Sequence, residues 1–306
     1  MPPGLYVVIP TTRRADLLRR TLHALSKCVI PASYEYTLVV ENGPQGKDVV
    51  ADVESSRPEL RTKYLHVERA NKSHALNRAM EVVGDGLVVF FDDDVVPVRG
   101  ALQAYAAAAG VRREGAFFGG PVAPDFEEAP PAWLLEYLPD SARGWAAHDG
   151  DEVTPDRFLG LNWAAFSADI RRAGGFDPRF GPGAETGSTG QETDMQVRML
   201  RRGVEPVYVE GARVSHYVPR SRCTPEWALR RAVRDGIYKG LKSTLEPTLL
   251  GYPAPMIREL AMRGAKAGVK AVMGRERRFA GWWWVLFQWG VLKGYRLRQA
   301  DRGRPA

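Results

Sequence analysis

The stretch Leu87-Val88-Val89-Phe90-Phe91-Asp92-Asp93-Asp94-Val95-Val96-Pro97 constrains this chain more than any other. Its five apolar residues, rich in β-branched and aromatic side chains, read as a strand buried on both faces, the kind found inside a parallel sheet. Three aspartates end it. In open α/β sheets the carboxyl ends of the strands face the ligand crevice, so the acidic cluster is delivered to the place where chemistry is done. Two like unit charges about 5 Å apart repel by roughly 3 kcal/mol at an effective dielectric near 20, so crowded carboxylates there need a cation or open water. Side chains alternate along extended chain, which directs Asp92 and Asp94 to one side and Asp93 to the other. Such an oxygen-only Asp-x-Asp pair suits Mg²⁺ or Mn²⁺ held jointly with a substrate's phosphates. An acidic loop that caps the next helix or merely faces solvent is the plainer alternative.

The rest of the first hundred residues repeats a strand and helix alternation. Leu5 to Pro10 is a second buried-strand pattern, followed by Thr11-Thr12-Arg13-Arg14. Leu17, Leu18, Leu22 and Leu25 then recur at helical spacing, with Asp16 as the expected cap. Tyr36 to Val40 gives the next strand, ending at Glu41-Asn42-Gly43-Pro44, and completes a βαβ unit. Tyr64 to Val67 is a third strand, leading into Arg69-Ala70-Asn71-Lys72-Ser73-His74-Ala75-Leu76-Asn77-Arg78-Ala79. Asn71 or Ser73 is placed to cap a helix whose free N–H groups and positive dipole end attract phosphate, and Lys72 adds a full charge. A capped amphipathic helix with no ligand is the plainer alternative. His74 lacks a second ligand at helical spacing and reads as a packing or surface residue.

With 306 residues and 44% hydrophobic content, the chain has room for one large α/β domain or two smaller ones. The excess of 43 Lys and Arg over 36 Asp and Glu fits phosphate-bearing ligands, an anionic membrane surface or nucleic acid. No basic stripe interleaved with aromatics supports nucleic acid, which is set aside. Cys28 and Cys223 make no disulfide framework, and Met1-Pro2-Pro3-Gly4 lacks the basic and apolar regions of a secretory signal. The expected location is cytoplasmic, with the inner face of the membrane as the one surface it would touch peripherally.

Taken together, these segments resemble the inverting family 2 glycosyltransferases, whose hallmark is an Asp-x-Asp strand end on a GT-A fold. The likeness runs over residues 4–240. It implies a Rossmann-like mixed sheet flanked by helices, and a sugar moved from a nucleotide-diphospho-sugar, a UDP-sugar first, to a saccharide, lipid-linked or small-molecule acceptor. The resemblance assigns Thr11 and Glu41 to the base and ribose, although Asn42-Gly43 is also an ordinary turn. Asn71, Lys72 and Asn77 fall in the family's Gly-Lys-Ser-x-Ala-Leu-Asn-x-Ala stretch, with Asn71 where glycine is usual; asparagine tolerates a left-handed conformation better than most residues. Asp92 and Asp93 complete the donor side. The segment Phe158 to Phe166, followed by Gly174-Gly175-Phe176-Asp177-Pro178, resembles a strand that crosses behind the donor sugar, with Asn162 set to bond a sugar hydroxyl or to cap a bend. His216, in the strand pattern Arg213 to Tyr217, reads by itself as a core residue of that strand; the resemblance implies instead a histidine that reaches the metal or diphosphate, and imidazole suits Mn²⁺ better than Mg²⁺. The expected metal ligands are therefore Asp92, Asp94 and His216.

Direct displacement by a hydroxyl needs a carboxylate to take its proton. Gly187 to Leu200 begins as a loop and becomes a helix, and it carries Glu192 and Asp194. Residues two apart on a helix differ by about 200°, so the two cannot share one site. Asp194 precedes Arg198 by four residues, the spacing of an intrahelical ion pair. Glu192, at the helix mouth, is the freer group and the expected base, with Asp194 second. The family's acidic pair here is Glu-Asp or Glu-Glu; Gln191-Glu192 keeps only its second member.

Composition shifts between Pro121 and Pro155, where prolines, tryptophans and mixed charge without period mark long loops. Trp133, Trp145 and Trp163 are candidates for stacking on an acceptor sugar or for packing. Beyond Pro219 the chain is basic and helical in pattern. Phe279 to Leu292 is apolar on every face, but fourteen helical residues span about 21 Å, too short for a membrane crossing of roughly 30 Å. Flanking arginines and lysines suit a helix lying in a membrane interface; packing on the catalytic domain or on a second subunit of a homo-oligomer is the alternative.

The expected organisation is a nucleotide-sugar-binding half over 1–98, an acceptor-binding half over 99–220, and a basic helical extension over 221–306. The expected activity is metal-dependent, inverting, hexosyl-type glycosyl transfer. The rivals are a sugar-1-phosphate nucleotidyltransferase, which would need glycine in the loop after the first strand, and a non-catalytic scaffold of the same fold.

Overall fold

The computed structural model describes residues 1–146 and 157–302. The segment 147–156, part of the stretch expected to be long loops, lies outside the described residues. The chain divides into two compact units: 1–125 with 140–178 and 191–217, and 126–139 with 179–190 and 218–306.

The first unit is a mixed seven-stranded sheet. β1 (Gly4–Thr11), β2 (Tyr34–Asn42), β3 (Lys63–Val67) and β4 (Gly86–Phe91) run parallel in the order β3-β2-β1-β4. α1 (Ala15–Leu25), α2 (Lys47–Glu54) and α3 (Lys72–Val82) connect them. Beyond a short β5 (Val95–Pro97) and α4 (Ala101–Ala109) come β6 (Ala116–Gly119) and β7 (Val122–Phe126). Two four-residue helices follow, α5 (Ala132–Leu135), which belongs to the second unit, and α6 (Asp140–Arg143), so 121–146 is more regular than its composition implied. β8 (Asn162–Phe166) inserts antiparallel between β4 and β6, and α7 (Ser167–Arg172), α8 (Gln191–Leu200) and β9 (Glu205–Tyr208) complete the main sheet. β10 (Val214–Val218) lies between β5 and β7 in a small second sheet.

Period-two alternation explains the doubly covered core. In β4, Leu87, Val89 and Phe91 pack into one cluster with Leu18 and Leu22 of α1 and Tyr105 of α4. Val88 and Phe90 point to the other face, against Leu76 and Met80 of α3 and Met195 and Met199 of α8. Every residue of β4 is buried, as a strand apolar on both faces requires. Strand order reverses between β1 and β4, so their carboxyl ends flank the crevice where ligands bind in such sheets. The cap expected at Asp16 is not formed: α1 starts at Ala15, and Asp16 pairs with Arg19 inside the first turn.

The second unit contains α9 (Pro225–Leu241), α10 (Ala254–Lys270) and α11 (Arg275–Arg302). The apolar stretch expected to form a short helix of its own is the middle of α11, which runs for 28 residues, about 42 Å. Val291, Leu292 and Tyr295 pack with Met256 of α10. Gly236 and Gly240 of α9 face Gly290 and Gly294 of α11 with the backbones nearly touching: a Cβ on Gly294 would lie 2.1 Å from the carbonyl oxygen of Ile237. Part of the 279–292 segment is thus taken up by helix packing, the alternative its composition also allowed, while Trp282, Trp284 and Trp289 stay exposed. No helix among the described residues is long and apolar enough to cross a membrane.

The close approach of α9 and α11 yields a sharp expectation. Gly294→Ala gains about 1 kcal/mol of helix propensity, but the added methyl meets backbone, which cannot swing aside, at a cost of roughly 2 to 3 kcal/mol. Urea denaturation should show net destabilisation; a variant more stable than the parent would refute the contact.

Candidate active site

The acidic strand end does not continue the alternation of β4. The chain turns at Asp93 and Asp94, and that turn, rather than a two-residue period, sets where the carboxylates point. Asp93 and Asp94 share one partner: the Arg14 guanidinium lies 2.7 Å from Asp93 and also binds Asp94. Asp92 diverges and meets the Lys72 ammonium at 2.6 Å. The pairing of Asp92 with Asp94 on one side, expected from the sequence, is therefore replaced by a pairing of Asp93 with Asp94. Thr21 of α1 pins the turn, its Oγ1 2.8 Å from the carbonyl oxygens of both Asp93 and Val95.

Burial pushes the Asp93 carboxyl up to about 7, with Arg14 opposing and Asp94 adding to the rise. Burial also acts on Asp94, yet His216 and Arg14 outweigh it and hold its carboxyl well below the usual range. The two neighbours are driven apart, so Asp94 is the one that keeps its charge. Nε2 of His216 lies 3.5 Å from Oδ1 of Asp94, while its Nδ1 is 2.5 Å from the carbonyl oxygen of Ser141. That carbonyl can only accept, so Nδ1 carries a proton and Nε2 is the ring nitrogen left facing the carboxylate oxygen. A spacing of this size also suits two adjacent ligands of one small ion. Asp94 and His216 thus fit a divalent metal, whereas Asp92 is directed to Lys72. Among the described residues no three metal-ligating side chains converge.

Lys72, the first residue of α3, joins the acidic strand end to α8. Its Nζ contacts Asp92 at 2.6 Å and Glu192 at 3.2 Å. Burial works against the ammonium's charge, and the two carboxylates outweigh it. Asn71 caps the helix, accepting from the His74 N–H at 2.9 Å and donating to the Pro178 carbonyl at 2.9 Å. Its φ of −144° is extended, so no left-handed turn is needed where the family has glycine.

Glu192 stands at the mouth of α8. Gln191 donates its amide to Oε1 at 2.6 Å, the same oxygen that Lys72 meets. A neutral donor thus occupies the position of the family's first acidic residue and adds no repulsion. On the other side Glu192 presses on Gly160: a Cβ there would lie 2.0 Å from Cδ of the glutamate. Asp194 faces away and accepts from Arg198 at 2.9 Å, the ion pair its spacing implied. Arg198 then reaches the carbonyls of Ala173 and Gly175, so Asp194 braces that turn.

Several expected donor contacts are used internally. Thr11 donates to Asp93 at 2.6 Å. Glu41 is buried and accepts from the Gly46 N–H at 3.1 Å and the Tyr64 hydroxyl at 2.6 Å. Asn77 clasps the backbone N–H and C=O of Phe176, both at 2.7 Å. Asn162 is wholly buried, accepting from Tyr105 and donating to the carbonyls of Pro121 and Ala212, which corrects its expected reach to a sugar. Trp163 is stacked in the core on Phe90, Trp145 packs edge-on against Phe158, and Trp133 packs on Phe279. At the carboxyl end of β3 an open basin of about 580 Å³ is lined by His66, Arg69, His74 and Arg78.

Sequence reasoning missed Arg14 and Gly160. The one local signal for Arg14 is the basic pair after β1, where Arg13 takes a left-handed φ of 49° and the chain bends back toward the aspartates. Gly160 carries no signal short of the three-dimensional contact.

Among solved structures, a mannosyltransferase from Pyrobaculum calidifontis in complex with GDP-mannose and Mn²⁺ aligns with 99% of this chain and 88% of its own, at 17% identity and TM-score 0.58. The N-acetylgalactosaminyltransferase GalNAc-T7 with UDP, GalNAc and Mn²⁺ aligns with 78% of this chain and 50% of its own, at 14% identity and TM-score 0.54. At such identities the likeness shows a shared GT-A fold. No curated protein sequence matches. The family model described as glycosyltransferase-like family 2 matches residues 2–236, and on that match the chain belongs to this family.

Proposed function

We propose that this glycosyltransferase transfers a sugar from a nucleotide-diphospho-sugar to an acceptor hydroxyl with inversion, and that Glu192 is the base. The observation that carries the reading is the Lys72 bridge, in which one buried ammonium holds the strand-end Asp92 and the helix-mouth Glu192 together. A diphosphate drawn to Lys72 and to the first turn of α3 would lie beside the group that accepts the proton, which is what an in-line displacement needs. The open basin at the end of β3, lined by Glu68 as well as His66, Arg69, His74 and Arg78, supports a nucleotide seat next to that helix by its size and place. The Mn²⁺ complexes of the two solved relatives, with GDP-mannose and with UDP, support a nucleotide-sugar donor and a divalent ion. UDP-sugars are the first donors to assay, with saccharide, lipid-linked and small-molecule acceptors.

Asp94 and His216 are the residues that would hold a divalent ion, Mn²⁺ before Mg²⁺, and the ion when bound would neutralise charge on the departing diphosphate. The remaining work falls to the chain. Lys72 and Gln191 both engage Oε1 of Glu192, which fixes the carboxylate and presents Oε2 to the acceptor. Oε2 takes the hydroxyl proton as the acceptor oxygen bonds the anomeric carbon. The bond from that carbon to the diphosphate breaks, its electron pair leaves with the diphosphate, and the configuration inverts. Asp194, turned to Arg198, is not available as a covalent nucleophile, consistent with a single displacement.

Two experiments test this division of labour. Calorimetry and initial rates should show that Asp94→Ala loses Mn²⁺-dependent donor binding, whereas Glu192→Gln binds donor normally but transfers at least about a hundredfold more slowly. Equal loss of donor affinity in both variants would contradict the assignment, and tight nucleotide binding without turnover by the parent would favour a scaffold. Gly160→Ala forces the Glu192 side chain aside and loosens its bridge to Lys72, so the melting temperature should fall, by no more than about 2 to 4 °C since a side chain and not backbone is displaced. Its kcat should fall at least about tenfold with KM for the donor unchanged, and parental activity would remove Gly160 as a positioning residue.

A further inference from the structure

The hairpin joining α10 to α11 has a surface unlike that of the helices in the first unit. From Leu260 to Arg275 the sequence contains no acidic residue, while Arg263, Lys266, Lys270 and Arg275 fall within it and Arg277 and Arg278 follow. Elsewhere the exposed helix faces carry both signs, as in Asp16 with Arg19 on α1 and Arg78 with Glu81 on α3. The tip also presents apolar side chains to water: Val269 is 66% exposed, Val272 88% and Met273 44%, with Met262 on the same helix also exposed. Leaving such groups in water forgoes the gain of burying them, and they are grouped at one turn rather than scattered.

We propose that this tip docks on an anionic lipid surface. Val272 and Met273 enter the interfacial region, and Lys266, Lys270, Arg275, Arg277 and Arg278 meet lipid phosphates. The combination of a small apolar tip with a predominantly cationic collar, five basic residues to the single acid Glu276, is what binding at a charged interface uses, since either signal alone holds a protein only weakly. A second copy of the chain is a poor occupant, because a two-fold contact through the tip would set the same cations against each other with Glu276 as the only acid between Leu260 and Arg278. The site is separate from the Lys72 and Glu192 centre in sequence and in unit, so its failure and that of the catalytic reading are distinguishable.

Cosedimentation of the full chain with vesicles of phosphatidylcholine, with and without phosphatidylglycerol, tests this. Binding is expected to the anionic vesicles alone and to weaken as salt is raised. Val272→Asp with Met273→Asp should lower the bound fraction at least about tenfold, and Lys266→Glu with Lys270→Glu should do the same. Both double variants should keep parental melting and parental transfer to a soluble acceptor, since these side chains project into solvent. Equal binding to neutral and anionic vesicles, or undiminished binding by both double variants, overturns the proposal. It is likewise overturned if vesicle binding is absent and the substitutions instead abolish self-association.

Discussion

One ammonium between two carboxylates organises the carboxyl end of the parallel strands in this molecule. Lys72 is presented by the first turn of α3, whose start is set by the Asn71 cap. From there it reaches Asp92, which β4 delivers, and Glu192, which α8 delivers. Two carboxylates brought this close would repel, and a buried charge left alone would be expensive, so the three groups are stable only as a set. The second cation, Arg14, does the same for Asp93 and Asp94. The charge of the acidic strand end is therefore partly offset by Arg14, just before α1, and by Lys72 of α3. A ligand that brings phosphates meets two cations, Arg14 and Lys72, already set against the carboxylates of Asp92, Asp93, Asp94 and Glu192, so each new negative charge competes with a carboxylate for an existing cation.

Much of this was legible in the sequence, and the reasons for the rest are specific. The buried strands β1 to β4 could be read because their apolar runs are continuous and their interruptions are sharp. The divergence of Glu192 and Asp194 could be read because helical periodicity separates them and Arg198 stands at the right spacing to claim the second. The orientation of the three aspartates could not be read, since alternation holds only while the chain is extended and it turns at Asp93. Arg14 was invisible for a related reason: its partners lie some eighty residues away, and nothing in a basic pair after a strand says what it will face. Thr11, Glu41, Asn77 and Asn162 sit in suggestive positions, but each satisfies a buried neighbour, and polar groups spent in this way have little left for a ligand.

The second unit follows a different logic. Its three long helices gain order from backbone contact at Gly236, Gly240, Gly290 and Gly294, where the absence of side chains allows α9 and α11 to touch. This explains why a tryptophan-rich stretch that looks lipid-facing on composition is partly buried. Burying one face of α11 leaves exposed aromatics on the other and an uncovered apolar tip where α10 turns into it. Helix packing and surface exposure were both written into the same residues, and only the three-dimensional arrangement separates them.

The linkage through Lys72 is open to direct measurement by a double-mutant cycle on unfolding free energy, combining Lys72→Met with Glu192→Gln. Because both side chains are largely buried and in contact, the coupling energy should reach at least about 1 kcal/mol, well above the roughly 0.3 to 0.5 kcal/mol within which independent sites add. A cycle that closes within that margin would mean that the helix-mouth glutamate and the acidic strand end do not form one site.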